Sequence, residues 1–92
     1  MSKILHLTLQ HQWFEEIAIG KKHEEYRIKN AYWKNRIEGR NYDEIHFRNG
    51  YQKDTPFMRV EYKGWQDSTW QGVPFYALQL GCILEVRNYV IP

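Results

Sequence analysis

Hydrophobic residues in the first part of the chain follow two different periods. Residues 4–9 alternate between apolar and polar side chains, which predicts a half-buried strand. The next apolar residues recur at helical spacing instead, and they are Trp13, Phe14, Ile17 and Ala18. This spacing predicts a short amphipathic helix over residues 11–19, with Gly20 ending it.

A polar segment and a second short helix follow. Residues 22–28 are polar but have a pattern compatible with a strand, and we expect this strand to lie at the rim of a barrel. Asn30 has the side chain of a helix N-cap, and Gly39 is placed to close the helix. The sequence therefore predicts a second helix over residues 31–38.

Three further strands are predicted in the second half, over residues 43–48, 57–65 and 75–87. Gly81 interrupts the last one and indicates a bulge or a corner of the barrel, whereas residues 66–74 are expected to form a weakly structured loop. Helices do not regularly separate the strands, so a parallel sheet of βαβ units is not expected. The prediction is an α+β fold, a small and mainly antiparallel β-barrel of about five strands with two short helices.

Composition limits the classes of function. The 92 residues allow a single domain over 1–92, and a net charge of +2 does not by itself indicate nucleic-acid binding. Cys82, the one cysteine, lies in an apolar setting that predicts a buried, inert thiol. The four histidines are not spaced as metal ligands, so we expect neither a metal nor a cofactor. With no signal-peptide pattern and no apolar run of the roughly 18 residues that a membrane helix needs, we expect a cytoplasmic protein that makes no membrane contact.

The densest group of polar side chains runs from Gly20 to Arg27. A solvated strand has this composition, but so does a preorganised site, because a lysine beside a glutamate and an arginine can become a base or a nucleophile. In a straight strand Lys22 would face away from Glu25 and Arg27. A bend near Gly20 is therefore required if these side chains are to converge.

The segment Gly20-x-Lys22-x-x-Glu25-x-Arg27 resembles the G-x-K-x-x-E-x-R motif of the ASCH family, which belongs to the PUA-like superfamily. The order of predicted elements around the motif is also similar to that family. The resemblance extends over nearly the whole chain and implies a PUA-like barrel. It also implies a cleft beside the barrel, lined by the motif residues.

In PUA-like relatives such clefts bind RNA or modified bases, and some short ASCH proteins are amidohydrolases that deacetylate N(4)-acetylcytidine. Their catalytic lysine corresponds to Lys22. The resemblance implies Lys22 as base or nucleophile and Glu25 as the group that activates water or protonates the leaving amine. Lys21 or Arg27 would steady the oxyanion or orient the base. Those enzymes can have threonine at the position of Glu25 and a further glutamate from a helical insertion, where this chain has only the segment 66–74.

Two hypotheses about function follow, and the first is a hydrolase of N(4)-acetylcytidine or a related N-acylated nucleoside. The second is a non-catalytic module that binds RNA or a modified base, and ribonuclease activity is a further possibility within the family. His23 in the motif is a further candidate for substrate binding. Arg48 and Tyr51 belong to a basic, aromatic loop that suits base stacking and phosphate contact, or that simply keeps a hairpin soluble. The concentration of charge at one site favours the enzyme, and the sequence leaves the oligomeric state open.

Overall fold

The computed structural model describes residues 3–90. In chain order the elements are β1 (Ile4–Thr8), α1 (His11–Ala18), β2 (Glu24–Ile28), α2 (Ala31–Ile37), β3 (Glu44–Arg48), β4 (Phe57–Trp70) and β5 (Val73–Arg87). The strands form one mixed sheet in the order β1-β3-β4-β5-β2, in which only the β1–β3 pair is parallel. The predicted α+β class, with five mainly antiparallel strands in a barrel-like sheet and two short helices, is confirmed.

The core is built from the inward side chains of the sheet and one face of each helix. Alternation in β3 buries Ile45 and Phe47 completely, as the period of two requires. The helix α1 contributes three buried side chains, Phe14, Ile17 and Ala18. In α2 only Ile37 is fully buried and Trp33 packs against the core while half-buried, so most of α2 lies at the protein surface.

The ends of both helices follow local rules. The Asn30 side chain accepts a hydrogen bond of 2.9 Å from the backbone N–H of Trp33, which caps α2. Gly20 and Gly39 adopt φ of +80° and +71°, in the left-handed region that glycine favours after a helix. Among the residues described, neither helix has the length and apolar character needed to cross a bilayer.

The two edge strands of the sheet, β1 and β2, are connected by an arginine. Arg27 of β2 donates a hydrogen bond of 3.3 Å from Nη2 to the backbone oxygen of Thr8 in β1. Arg36 of α2 donates to a second oxygen of β1, that of His6, at 3.4 Å. Edge strands carry unpaired backbone groups, so these contacts satisfy part of the β1 edge and bring β2 close to it.

The prediction of a weakly structured loop over residues 66–74 was wrong. The strand β4 continues to Trp70 and β5 begins at Val73, so the segment is a β-hairpin. Its turn consists of Gln71 and Gly72, both with positive φ, which matches the twist of the two strands. The polar residues that indicated a loop lie in the part of the hairpin that extends beyond the core. A strand in that position needs no apolar face.

The prediction that Cys82 is buried was also wrong. Between Val60 and Tyr62 of β4, the partner strand β5 contains one residue more than β4, and Gly81 lies at this predicted bulge. A bulge interrupts the alternation of side chains between the two faces. Cys82 and Leu84, which the period of two placed inside, are therefore exposed.

An ion pair on the outer face of the sheet predicts how stability depends on pH. Arg59 donates from Nε and Nη2 to the two Glu44 oxygens at 2.8 and 2.9 Å, which lowers the pKa of Glu44 to about 2 from its ordinary 4.5. The folded state therefore binds this proton less readily than the unfolded state. The stabilisation is present above pH 4.5 and is lost as the pH falls towards 2.

We expect the free energy of unfolding, measured by urea titration, to fall across this pH window and to fall less steeply in Arg59→Gln. Arg40→Gln is the control, because Arg40 is bonded to a backbone oxygen, that of Asn35. An equally steep fall in Arg59→Gln and the wild type would show that other carboxylates are responsible.

Candidate functional site

The segment between α1 and β2 makes the bend that the motif requires. The backbone N–H groups of Lys21 and Lys22 both donate to the Glu16 oxygen, at 2.9 and 3.0 Å, and Gly20 has positive φ. These bonds satisfy a carbonyl of the last turn of α1 and wrap the chain around the end of the helix. Lys22 therefore lies before β2 and not within it, and its side chain can reach Glu25.

Glu25 is a buried carboxylate held between two cations. Its exposed fraction is 4%, and the Lys22 Nζ lies 2.9 Å from Oε1 while the Arg27 Nη1 lies 2.6 Å from Oε2. Burying an unpaired carboxylate is strongly unfavourable, so this position depends on both partners. We call Lys22, Glu25 and Arg27 the ion triad.

Aromatic rings lie against both cations of the ion triad. The Lys22 Nζ is 4.4 Å from the ring centroid of Trp13 and 5.8 Å from that of Tyr26. The Arg27 guanidinium carbon is 5.3 Å from the ring centroid of Trp33. These cation–π contacts help to fix the position of each cation.

The ion triad lies in the wall of a surface cavity of about 890 Å³, within the size range of small-molecule sites. It is lined by Trp13, Glu16, Lys21, Lys22, His23, Glu24, Glu25, Tyr26, Arg27, Gln79 and Leu80. Three cationic side chains thus face three carboxylates. This balance of charge favours an uncharged ligand over a polyanion.

Hydrogen bonds fix the rim of the cavity. The Tyr26 hydroxyl and the Gln79 side-chain amide donate to the two Glu24 oxygens, at 2.7 and 2.6 Å. These bonds lower the pKa of Glu24, and the bond to Glu24 raises the pKa of Tyr26. Glu24 is therefore ionised and the Tyr26 ring is held in place, with 43% of its surface exposed.

The structure brings together most of the candidates that the sequence indicated. Lys21 and His23 are exposed and line the same cavity as the ion triad. Arg48 and Tyr51 do not line it: Arg48 packs against the ring of Phe57, 5.0 Å from its centroid, and Tyr51 is 90% exposed. Within residues 3–90 there is no group of three His, Cys, Asp or Glu side chains that could hold a metal ion.

Several residues of the cavity did not emerge from sequence reasoning. Trp13 shares the helical spacing of the core residues, yet it is 38% exposed because Phe14 and Ile17 fill the core below α1. In the sequence, the feature that could have identified Trp13 as a cavity residue was that it is a second large ring directly beside Phe14. Gln79 lies opposite Glu24 in the β2–β5 pairing, and its position depends on a register that the sequence does not specify.

Comparisons of the chain with protein-family models, with curated proteins and with solved structures gave no match. The interpretation of the cavity therefore depends on its own geometry.

Because Glu25 is buried and paired with two cations, we expect its neutralisation to lower the stability of the fold substantially. Glu25→Gln leaves Lys22 and Arg27 facing each other without the charge between them, and we expect the free energy of unfolding to fall by about 3 kcal/mol. Glu24→Gln is the matched control, since Glu24 lies at the rim, and we expect a loss within about 1 kcal/mol. Urea titrations at pH 7 measure both variants. An equal decrease in the free energy of unfolding for Glu25→Gln and Glu24→Gln would contradict a special role for the buried carboxylate.

Proposed function

We propose that the cavity binds an N-acylated cytosine nucleoside and hydrolyses its amide bond, as in the amidohydrolases of the ASCH family. One observation carries the proposal. A lysine and a carboxylate share a hydrogen bond of 2.9 Å in the wall of a cavity that also presents aromatic rings. Hydrolysis of an amide on a heteroaromatic base needs a proton donor and acceptor next to a surface on which the base stacks.

Binding of the base is assigned to the rings. Trp13 and Tyr26 line the cavity and are 38% and 43% exposed, so each offers a face for a pyrimidine to stack on. The balanced charge of the cavity lining agrees with a neutral nucleoside as substrate. The rings and the Lys22–Glu25 pair line the same cavity, so a stacked base lies beside both groups.

Proton transfer within the Lys22–Glu25 pair begins the chemistry. When the substrate displaces water, Lys22 gives a proton to Glu25 along their hydrogen bond. The Lys22 amine then takes a proton from the attacking water as the water oxygen bonds to the acyl carbon. Glu25 returns its proton to the exocyclic nitrogen as the C–N bond breaks. The products are the carboxylic acid and the nucleoside amine, and the ion pair is restored.

Two further cations have distinct roles in this scheme. Arg27 is a positioning residue, because its bonds to Glu25 and to the Thr8 oxygen hold the carboxylate against β1. Lys21 lines the cavity and supplies positive charge for the oxyanion of the tetrahedral intermediate. Neither role requires the threonine nucleophile that related enzymes can have in place of Glu25.

A second candidate function is the non-catalytic recognition of a modified base. It is favoured by the resting geometry, in which both Glu25 oxygens already accept charged hydrogen bonds and Lys22 lies over the Trp13 ring. In this case Lys22 donates a hydrogen bond to the acyl oxygen of the base and no bond breaks. The same cavity residues are needed for binding in both functions.

The hydrolysis of N(4)-acetylcytidine, followed by absorbance, separates the two functions. We expect turnover by the wild type and a decrease in kcat of about 10²- to 10⁴-fold in Lys22→Ala, because the proton-transfer group is lost. Lys34→Ala is the matched control, since Lys34 is an exposed lysine of α2 outside the cavity, and we expect its kcat to be unchanged.

Circular dichroism of each variant establishes that the fold is intact. Full activity in a folded Lys22→Ala protein would contradict the catalytic assignment. Binding of N(4)-acetylcytidine by the wild type without turnover would support the second candidate function.

A further inference from the structure

A second cavity, of about 370 Å³, lies between the segment that follows α2 and the middle of β4. Residues 39–42 line one side, and Tyr62, Gly64 and Trp65 line the other. No atom lies within 4 Å of the position that a Cβ would occupy at Gly39 or Gly64, so the space beside them is open. We call it the tyrosine cavity. It shares no lining residue with the cavity of the ion triad, and its volume is at the lower end of the range of small-molecule sites.

The Tyr62 side chain brings a hydrogen-bond donor without an acceptor to this cavity. Tyr62 is only 9% exposed, and its hydroxyl oxygen is buried with no hydrogen-bond partner among residues 3–90. Burial, and to a smaller extent the neighbouring Tyr42, raise the pKa of Tyr62 to about 12, so the hydroxyl keeps its proton at neutral pH. Buried hydroxyl groups normally have a partner, because leaving one unpaired is unfavourable. A ligand that carries an acceptor oxygen would satisfy this donor.

The charge of the lining favours an anion as that ligand. Arg40 is exposed and is the cation of the lining, which contains no acidic side chain. Its Nε donates to a backbone oxygen at 2.9 Å, which leaves the two terminal nitrogens directed away from that bond. The carboxylates nearest to Arg40 in the sequence are engaged elsewhere: Glu38 accepts from a tyrosine hydroxyl and Asp43 from a backbone N–H. A ligand anion therefore meets one arginine and no competing carboxylate in the lining.

Aromatic rings form the remaining walls and are held in place from behind. The Trp65 ring packs edge-on against Tyr76, with centroids 5.0 Å apart, and the Lys29 Nζ lies 5.2 Å from the Trp65 centroid. The Tyr42 ring packs edge-on against Tyr62 at 5.9 Å. A rigid aromatic wall beside a cation and a hydroxyl donor fits a flat organic group that carries negative charge.

We propose that the tyrosine cavity binds a planar organic carboxylate, whose oxygens accept hydrogen bonds from the Tyr62 hydroxyl and the Arg40 guanidinium while its flat group packs against Trp65. A carboxylate carries one negative charge and matches the planar fork of a single arginine. A phosphomonoester carries up to two charges, which one arginine does not balance. The inference goes beyond the proposed function, because the two cavities share no residue and bind different ligands.

Nuclear magnetic resonance titration of ¹⁵N-labelled protein tests the inference, with sodium benzoate as the probe. We expect the indole N–H of Trp65 and the backbone amides of residues 39–42 and 62–65 to shift together and saturate, while those of residues 21–27 stay unchanged. Benzamide has the same ring without the charge, and acetate has the charge without the ring. Each should bind at least about tenfold more weakly than benzoate.

Two substitutions separate the contributions to binding. Arg40→Gln should raise the Kd of benzoate about tenfold and abolish the difference between benzoate and benzamide, because the charge is lost. Tyr62→Phe keeps the ring in the core and removes only the hydroxyl, and it should also raise the Kd about tenfold. Arg48→Gln is the matched control, since Arg48 is an exposed arginine outside the lining, and its Kd should equal that of the wild type. Circular dichroism establishes that each variant is folded.

The opposite results overturn the inference. These are shifts that do not saturate, shifts confined to residues 21–27, equal Kd values for benzoate and benzamide in the wild type, or a benzoate Kd that neither Arg40→Gln nor Tyr62→Phe raises. Shifts confined to residues 21–27 would place the anion in the cavity of the ion triad. The hydrolysis of N(4)-acetylcytidine is measured with another probe at other residues, so failure here and failure of the proposed function are distinguishable.

Discussion

The buried carboxylate of Glu25 is the interaction on which the rest of the site depends. It is stable in its position only because Lys22 and Arg27 each neutralise one of its oxygens. Lys22 reaches it because the chain bends after α1 at Gly20. Arg27 in turn donates to the Thr8 oxygen, so the same charge network connects the two edges of the sheet.

This arrangement links stability with chemistry. The cations that stabilise Glu25 are also the groups over which the aromatic rings pack, with Trp13 against Lys22 and Trp33 against Arg27. A ligand that stacks on Trp13 therefore lies beside the ion triad and removes water from it. In the proposed hydrolysis, proton transfer within the Lys22–Glu25 pair follows this loss of water.

Features set by short-range rules could be predicted from the sequence. The cap at Asn30 and the positive φ of Gly20 depend on neighbouring residues alone, and the burial of Ile45 and Phe47 depends only on the period of a strand. The residues of the motif were also evident, since five of the candidates line one cavity.

Features set by long-range packing could not be predicted. The exposure of Cys82 depends on how β4 and β5 pair around a bulge. The hairpin over residues 66–74 was missed because its strands extend beyond the core. Their side chains are mostly exposed there, so the sequence shows no apolar alternation. The exposure of Trp13 depends on the rotation of α1 against the sheet, and the placement of Arg48 outside the cavity depends on the sheet order.

The most direct test of the account is a nuclear magnetic resonance titration of ¹⁵N-labelled protein with N(4)-acetylcytidine. The account predicts that the indole N–H of Trp13 and the backbone amides of residues 21–27 shift together and saturate, while those of residues 48–53 stay unchanged. Shifts confined to residues 48–53, or no shifts at all, would contradict the assignment of the cavity as the nucleoside site.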